Sequence, residues 1–173
     1  MRVRRATPSD ADRIAVVARE SCEVAYEGLL GDPALLETVR AEDYADGVRS
    51  FLRSVPETRG LRYDVVEVEG RVEGLAHYRF PPAETDSFVG RGECLLHSLY
   101  VAPDAWGERL GTALVDAGDE RLPGRLSALV LGVLKGNRVG VGFYESAGFD
   151  RRGEAVLEVS GGEYDCWVYA RPR

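Results

Sequence analysis

ECLLHSLYVAPDAWGERLGT, residues 93–112, carries the decisive pattern of this chain. Its first nine residues are apolar on both parities. Leu95, Leu99 and Val101 fall on one face of an extended strand, and Cys94, Leu96 and Tyr100 on the other. A strand of that kind is covered on both sides and belongs in the middle of a sheet. A turn at Ala102, Pro103 and Asp104 follows. WGERLGT then opens a helix over 107–122, whose stripe is Leu110, Ala113, Leu114, Ala117 and Leu122 and which Pro123 and Gly124 close. Where a buried strand feeds straight into a helix, the first-turn N–H groups have no helical partner and the dipole end is positive. Together they bind phosphate without a basic side chain. Gly107 and Gly111 let a ligand come close to that backbone.

Upstream, YDVVEVEG and RVEGLAHYRF alternate in polarity on either side of Glu69 and Gly70, the signature of a hairpin that ends at Pro81 and Pro82. Residues 83–92, with Glu84 and Asp86, form an acidic connection. Near the start, Thr7, Pro8, Ser9 and Asp10 supply a capping hydroxyl, a proline at the first helical position and an acid three residues after the cap. A helix therefore runs to about Tyr26, and Gly28 to Pro33 breaks it. Leu35, Leu36, Val39, Val48, Phe51 and Leu52 space a second helix over 34–52, with Asp43 and Gly47 as points of interruption. Downstream, LSALVLGVL (126–134) is a short buried strand, Asn137 caps a helix through Ala147 with Gly148 at its end, and two strands surround Gly161–Gly162. The order βααβββαβαββ predicts a mixed α/β (α+β) domain: a central mixed sheet of six to seven strands with helices on both faces.

Composition narrows the function classes. At 173 residues and 45% hydrophobic content, a single domain spanning 1–173 accounts for the chain. A formal charge of −7 disfavours nucleic acid and anionic membranes as partners and favours a cationic one, although acidity is also an ordinary solubility device. Cys22, Cys94 and Cys166 are odd in number and lack CxxC spacing, so buried free thiols are expected and no metal site. No apolar stretch of signal-peptide or bilayer-spanning length is present, which predicts a cytoplasmic protein.

A second stretch, LGVLKGNRVGVGFYESAGF (131–149), contains V-L-x-x-N-x-x-x-x-x-F-Y-x-x-x-G-F. Following a strand, turn and glycine-bearing helix start, this arrangement resembles the GNAT superfamily of acyl-CoA-dependent N-acyltransferases, in order and spacing, over Glu93 to Asp150 less the linking helix. The resemblance implies that the backbone of Leu99, Tyr100 and Val101 pairs with the pantetheine arm of acetyl-CoA. It implies that the amides of Gly107, Glu108, Arg109, Leu110, Gly111 and Thr112 cradle the pyrophosphate. Asn137 then bonds near the pantetheine or the facing strand, and Tyr144 touches the cofactor and protonates the departing thiolate. One departure stands out. The family's loop usually reads Gln/Arg-x-x-Gly-x-Gly/Ala, and Trp106 and Arg109 occupy the positions of its Gln/Arg and first glycine, whereas Gly111 fits. The departure bears on cofactor affinity.

Acyl transfer to an amine needs a neutral nucleophile, a donor for the oxyanion and a proton for sulfur. An amine of pKa near 10.4 is neutral in about one molecule in 2,500 at pH 7, a handicap of about 4.6 kcal/mol, so a group must take its proton. Backbone N–H groups of the 93–101 strand polarise the thioester if strand 127–134 splays away. Glu93 and His97 are the candidate bases. They share a face but lie about 13 Å apart at 3.3 Å per residue, so at most one adjoins the chemistry. Family members with a strand glutamate carry it near the position of Leu95, one pleat beyond Glu93. His77 reads as structural. The expected reaction is transfer of acetyl from acetyl-CoA to a primary amine of a small, cationic acceptor, by direct attack in a ternary complex. A protein N-terminus or lysine is the enzymatic alternative, and a non-catalytic acyl-CoA sensor the other. A homodimer is expected from the resemblance and the small size.

Overall fold

The computed structural model describes residues 1–26, 34–159 and 161–173; the helix break at Gly28–Pro33 lies outside them. The elements in chain order are β1 (Arg2–Arg5), α1 (Ala11–Tyr26), α2 (Ala34–Arg40), α3 (Tyr44–Ser54), β2 (Leu61–Val68), β3 (Arg71–Arg79), β4 (Glu93–Val101), α4 (Leu110–Arg121), β5 (Ala128–Leu134), α5 (Arg138–Ser146), β6 (Asp150–Val159) and β7 (Gly162–Pro172). Seven strands form one mixed sheet in the order β1-β2-β3-β4-β5-β7-β6. Only β4 and β5 are parallel neighbours, and the other pairs are antiparallel. The mixed α/β architecture expected from the sequence is the observed one.

Local signals placed most elements. The Asp10 carboxylate accepts the Thr7 N–H at 2.8 Å, closing a capping box before α1. Glu69 and Gly70 turn the β2–β3 hairpin with φ of 51° and 82°. The second hairpin turns at Gly161, φ 79°, while Gly162 already belongs to β7. The helix expected over 34–52 is two helices, because a turn at Ala41–Asp43 intervenes, the Tyr44 N–H donating to the Ala41 carbonyl at 3.1 Å. Cys22, Cys94 and Cys166 are buried and free.

Two cores flank the sheet. One gathers Leu96, Leu110, Leu114, Leu129 and Phe149, with Phe143 and Tyr144 of α5 against it. The other gathers Ile14, Val17, Leu52, Tyr63 and Leu75 beneath α1 and α3. Helix α4 begins at Leu110 rather than 107, and it buries Leu110, Gly111, Leu114, Val115 and Gly118 rather than Ala113 and Ala117. Glycine at 118 matters because a Cβ there would stand 2.2 Å from the Tyr78 hydroxyl, which donates to the Leu114 carbonyl at 2.9 Å. The helix lies too close to β3 for side chains to mark the contact.

Strand β4 departs from the expected alternation. Tyr78 pairs with Leu96 and His77 with Ser98, so His97 is an extra residue in a β-bulge. The bulge flips the parity. Cys94 and Leu96 before it and Leu99 and Val101 after it join the same core, while Tyr100 joins the other. Leu95 therefore does not share a face with Leu99 and Val101. Beside the bulge, β4 and β5 part company: they pair only at Glu93–Ala128, Cys94–Leu129 and Leu95–Val130, after which β5 continues with β7 alone. The splay expected of strand 127–134 is present from Leu96 onward.

Candidate active site

The splay opens a cavity of about 820 Å³. Its walls are β4 from Leu95 to Val101, β5 from Gly132 to Leu134, the start of α4, the inner side of α5, and Cys22 and Tyr26 of α1. Leu99, Tyr100 and Val101, the residues that the resemblance assigns to the pantetheine arm, line it. The Val101 carbonyl, however, already accepts the Trp106 indole N–H at 2.8 Å. Trp106 thus fastens the turn after β4 to the strand end and takes one acceptor assigned to a ligand, a role that nothing in its local sequence announces.

At the mouth of the cavity stands the N-terminus of α4. Arg109 is its cap residue, in the left-handed region at φ 63°, and no side chain caps the helix. The first helical bond runs from the Ala113 N–H to the Arg109 carbonyl at 3.0 Å. The N–H groups of Arg109, Leu110, Gly111 and Thr112 consequently have no acceptor within the helix, and all four residues line the cavity with Gly107. Gly107 holds φ 86°, and a Cβ there would meet nothing within 4 Å, so its contribution is conformation. Gly111 lines the cavity, and its missing side chain also makes room for Phe143, whose Cε2 would lie 2.8 Å from a Cβ. Glu108 is a correction. It does not line the cavity, because its N–H closes a turn onto the Ala105 carbonyl at 3.4 Å.

On α5, Asn137 Oδ1 accepts the Gly140 N–H at 2.8 Å, the cap expected of it, and the residue also lines the cavity. Tyr144 lines the same wall, edge-on to Phe143 and Phe149 at 5.3 and 5.6 Å between ring centres. Burial raises its phenol pKa above the ordinary value, so it keeps its proton at neutral pH.

Glu93 and His97 separate. The Glu93 carboxylate takes two hydrogen bonds from Arg152, at 2.6 and 3.1 Å, and one from the Gly90 N–H at 2.7 Å, and it is absent from the cavity wall. The Arg152 bond holds its carboxyl below the usual range. Glu93 is a corrected expectation, since it anchors the start of β4 to β6 instead of facing a substrate. His97, on the bulge, does face the cavity, with Nδ1 2.8 Å from Ser98 Oγ. The protein around it, with Arg79 adding repulsion, pushes its pKa down to about 4, although part of the ring stays open to the cleft. His97 is therefore neutral at pH 7 and suited to relaying a proton rather than retaining one. Asp86 is a wall residue that the sequence showed only as part of a polar connection; burial raises its carboxyl pKa against the opposing effect of Arg79.

Beside it lies a second cavity of about 640 Å³, bounded by α2, α3 and β3. It shares Thr38, Tyr44, His97, Ser98 and Tyr100 with the first, so the bulge is part of a wall common to both. Among the described residues no group of three or more His, Cys, Asp or Glu could hold a metal ion, and no described helix is long and apolar enough to cross a membrane.

Uncapped helix N–H groups at one end of a splayed strand fit a diphosphate followed by an extended, hydrogen-bonding arm. Solved structures share this fold. PaiA N-acetyltransferase from Thermoplasma acidophilum, solved in complex with coenzyme A, is similar with a TM-score of 0.78 at 17% identity, over 99% of this chain and 98% of that one. Ribosomal-protein-alanine N-acetyltransferase from Brucella melitensis is similar with a TM-score of 0.71 at 23% identity over 100% of both chains. An acetyltransferase from Thermus thermophilus is similar with a TM-score of 0.68 at 18% identity, over 99% of this chain and 96% of that one. No curated protein matches the chain in sequence. The model of the acetyltransferase (GNAT) family matches residues 32–149, well over half the chain and including both stretches on which the site is built, and the chain belongs to that family.

Proposed function

We propose that this protein moves an acetyl group from acetyl-CoA to a primary amine of a small molecule, by direct attack while both are bound. The observation that carries the proposal is the splay at Leu95. It opens one continuous cavity from the α4 N-terminus to the bulge, where a second cavity adjoins it. Two ligands can thus reach the same stretch of β4 from adjoining cavities.

When bound, acetyl-CoA supplies a thioester activated toward amines. The N–H groups of Arg109 to Thr112 would hold its diphosphate through uncompensated backbone dipoles, and β4 from Leu99 would receive its extended arm. The unpaired side of β4 beside the bulge offers N–H groups to a developing oxyanion. His97 is placed to pass the amine's proton toward solvent. Tyr144, protonated at neutral pH, is placed to donate to sulfur. In water a thiolate whose thiol has a pKa near 8.5 would not take a proton from a phenol of higher pKa, but a thiolate desolvated in the same wall becomes more basic in step. Hydrogen bonding to sulfur is then the larger part of what Tyr144 does. A small acceptor is in keeping with the volume of the second cavity, about 640 Å³, which lies in the range of small-molecule sites.

Thiol release from acetyl-CoA, measured with a panel of amines and peptide N-termini beside calorimetric CoA titration, tests the proposal. Tyr144→Phe should lower kcat at least tenfold while leaving CoA affinity within about threefold. CoA binding without release from any acceptor would favour a sensor, and turnover of peptides alone would move the assignment to protein acceptors.

A further inference from the structure

The second cavity contains polar atoms that the protein itself leaves unsatisfied. His77 is 4% exposed, and its Nε2 has no hydrogen-bond partner among the described residues. Arg79, two residues along β3 and on the same face, has its buried Nε without a partner and makes no ion pair with any described residue. Both line the cavity. Leaving a guanidinium N–H buried and unpaired is costly, and a carboxylate is the partner its fork geometry fits best. Around these groups the walls are aromatic: Tyr63 stacks on His77 at 5.3 Å, Phe51 meets it edge-on at 5.1 Å, and Tyr44 stands beside them.

Position makes the arginine informative. Arg79 is paired across the sheet with Leu95, the last β4 residue before the splay, and His77 is 4.9 Å from His97 between ring centres. An anion on Arg79 therefore lies along the wall that leads to the bulge, where the two cavities meet. The charge of −7 disfavours a net anion as acceptor, but a zwitterion carries no net charge and escapes that penalty.

We infer that the acceptor is an amino acid, its carboxylate held by Arg79, its side chain against Tyr44, Phe51 and Tyr63, and its amine at the bulge beside His97. Glu37 and Asp43, which also line this cavity, exclude a second anionic group from the far side. The inference rests on the proposed transferase reaction only for the fate of the amine; the binding of the carboxylate stands apart from it.

The test uses the full-length protein saturated with CoA and two probes that differ in one group, N-acetylphenylalanine and N-phenethylacetamide, titrated by calorimetry. The wild type should bind the carboxylate compound about 10- to 100-fold more tightly, and Arg79→Gln should bring the two within about threefold of each other without changing CoA affinity or melting temperature appreciably. Equal affinities in the wild type, no binding of either compound, or a preference that survives in Arg79→Gln would each overturn the inference. Thiol release with phenylalanine and phenethylamine is followed in parallel. A carboxylate preference in binding without any release would sink the transferase proposal while leaving the arginine site standing.

Discussion

Arg109 offers the sharpest test of how the α4 N-terminus works. It holds φ 63° at the cap position, where the family pattern places glycine. An L-residue in that conformation costs about 1–2 kcal/mol, and glycine gives back about 0.5–1 kcal/mol through its extra backbone entropy. Arg109→Gly should therefore stabilise the protein by about 0.5–1 kcal/mol, which for a chain of this length is a rise of roughly 1–4 °C in Tm. Arg109→Ala removes the same guanidinium but keeps the strain, so it should melt at or below the wild type. The gap between the two variants isolates the backbone. Calorimetric titration of CoA supplies the second readout: if the N–H groups of Arg109 to Thr112 do the holding, both variants should keep CoA affinity within about threefold. Coincident melting of the Gly and Ala variants would refute the left-handed cap. A loss of tenfold or more in CoA affinity in both would show that the guanidinium, not the backbone, binds the diphosphate.

Gly111→Ala drives a Cβ into Phe143 and should destabilise by about 1–3 kcal/mol of overpacking, less up to about 1 kcal/mol from alanine's helix preference; Phe143→Leu in the same chain should recover most of the melting temperature. Because Arg152 lowers the Glu93 pKa in the folded state, the stability this pair confers is present above the unfolded carboxyl pKa and is lost as pH falls through the folded value. Glu93→Gln should thus cost stability at pH 7 but little near pH 3, with turnover retained, and collapse of kcat would restore Glu93 as a base. The His77 pKa is pushed down to about 3 by burial, with His97 and Arg79 adding repulsion. The unfolded chain then binds a proton below about pH 6.5 that the folded one refuses, so stability should fall from pH 6.5 toward 4, and His77→Phe should flatten that slope in pH-dependent denaturant melts.

Much of this was legible residue by residue. The capping box at Thr7–Asp10, the Glu69–Gly70 turn, the Asn137 cap and the apolar run of β4 are each written within a few neighbouring residues, because hydrogen bonds and dihedral preferences at that range depend on little else. The Leu99–Thr112 stretch showed the uncapped helix start for the same reason. What escaped notice depends on neighbours distant in the chain. Gly111 and Gly118 mark places where Phe143 and Tyr78 approach, and a glycine's sequence neighbours do not say what fills its space. Glu93 looked as available as His97 until Arg152, 59 residues away, reached its carboxylate.

The sequence by itself determined the element order apart from the division of the 34–52 helix, the mixed sheet, the uncapped helix start after β4 and the family to which these belong. Only the tertiary structure decided which side chains line the cavities. A single bulge at His97, created by its register against β3, reverses the face of every residue after it, and periodicity read along one strand carries no information about its partner's register. The splay of β5, the second cavity and the unpaired Arg79 likewise arise between elements distant in the chain, which is why the helix start at α4 was readable in the sequence and the second cavity was not.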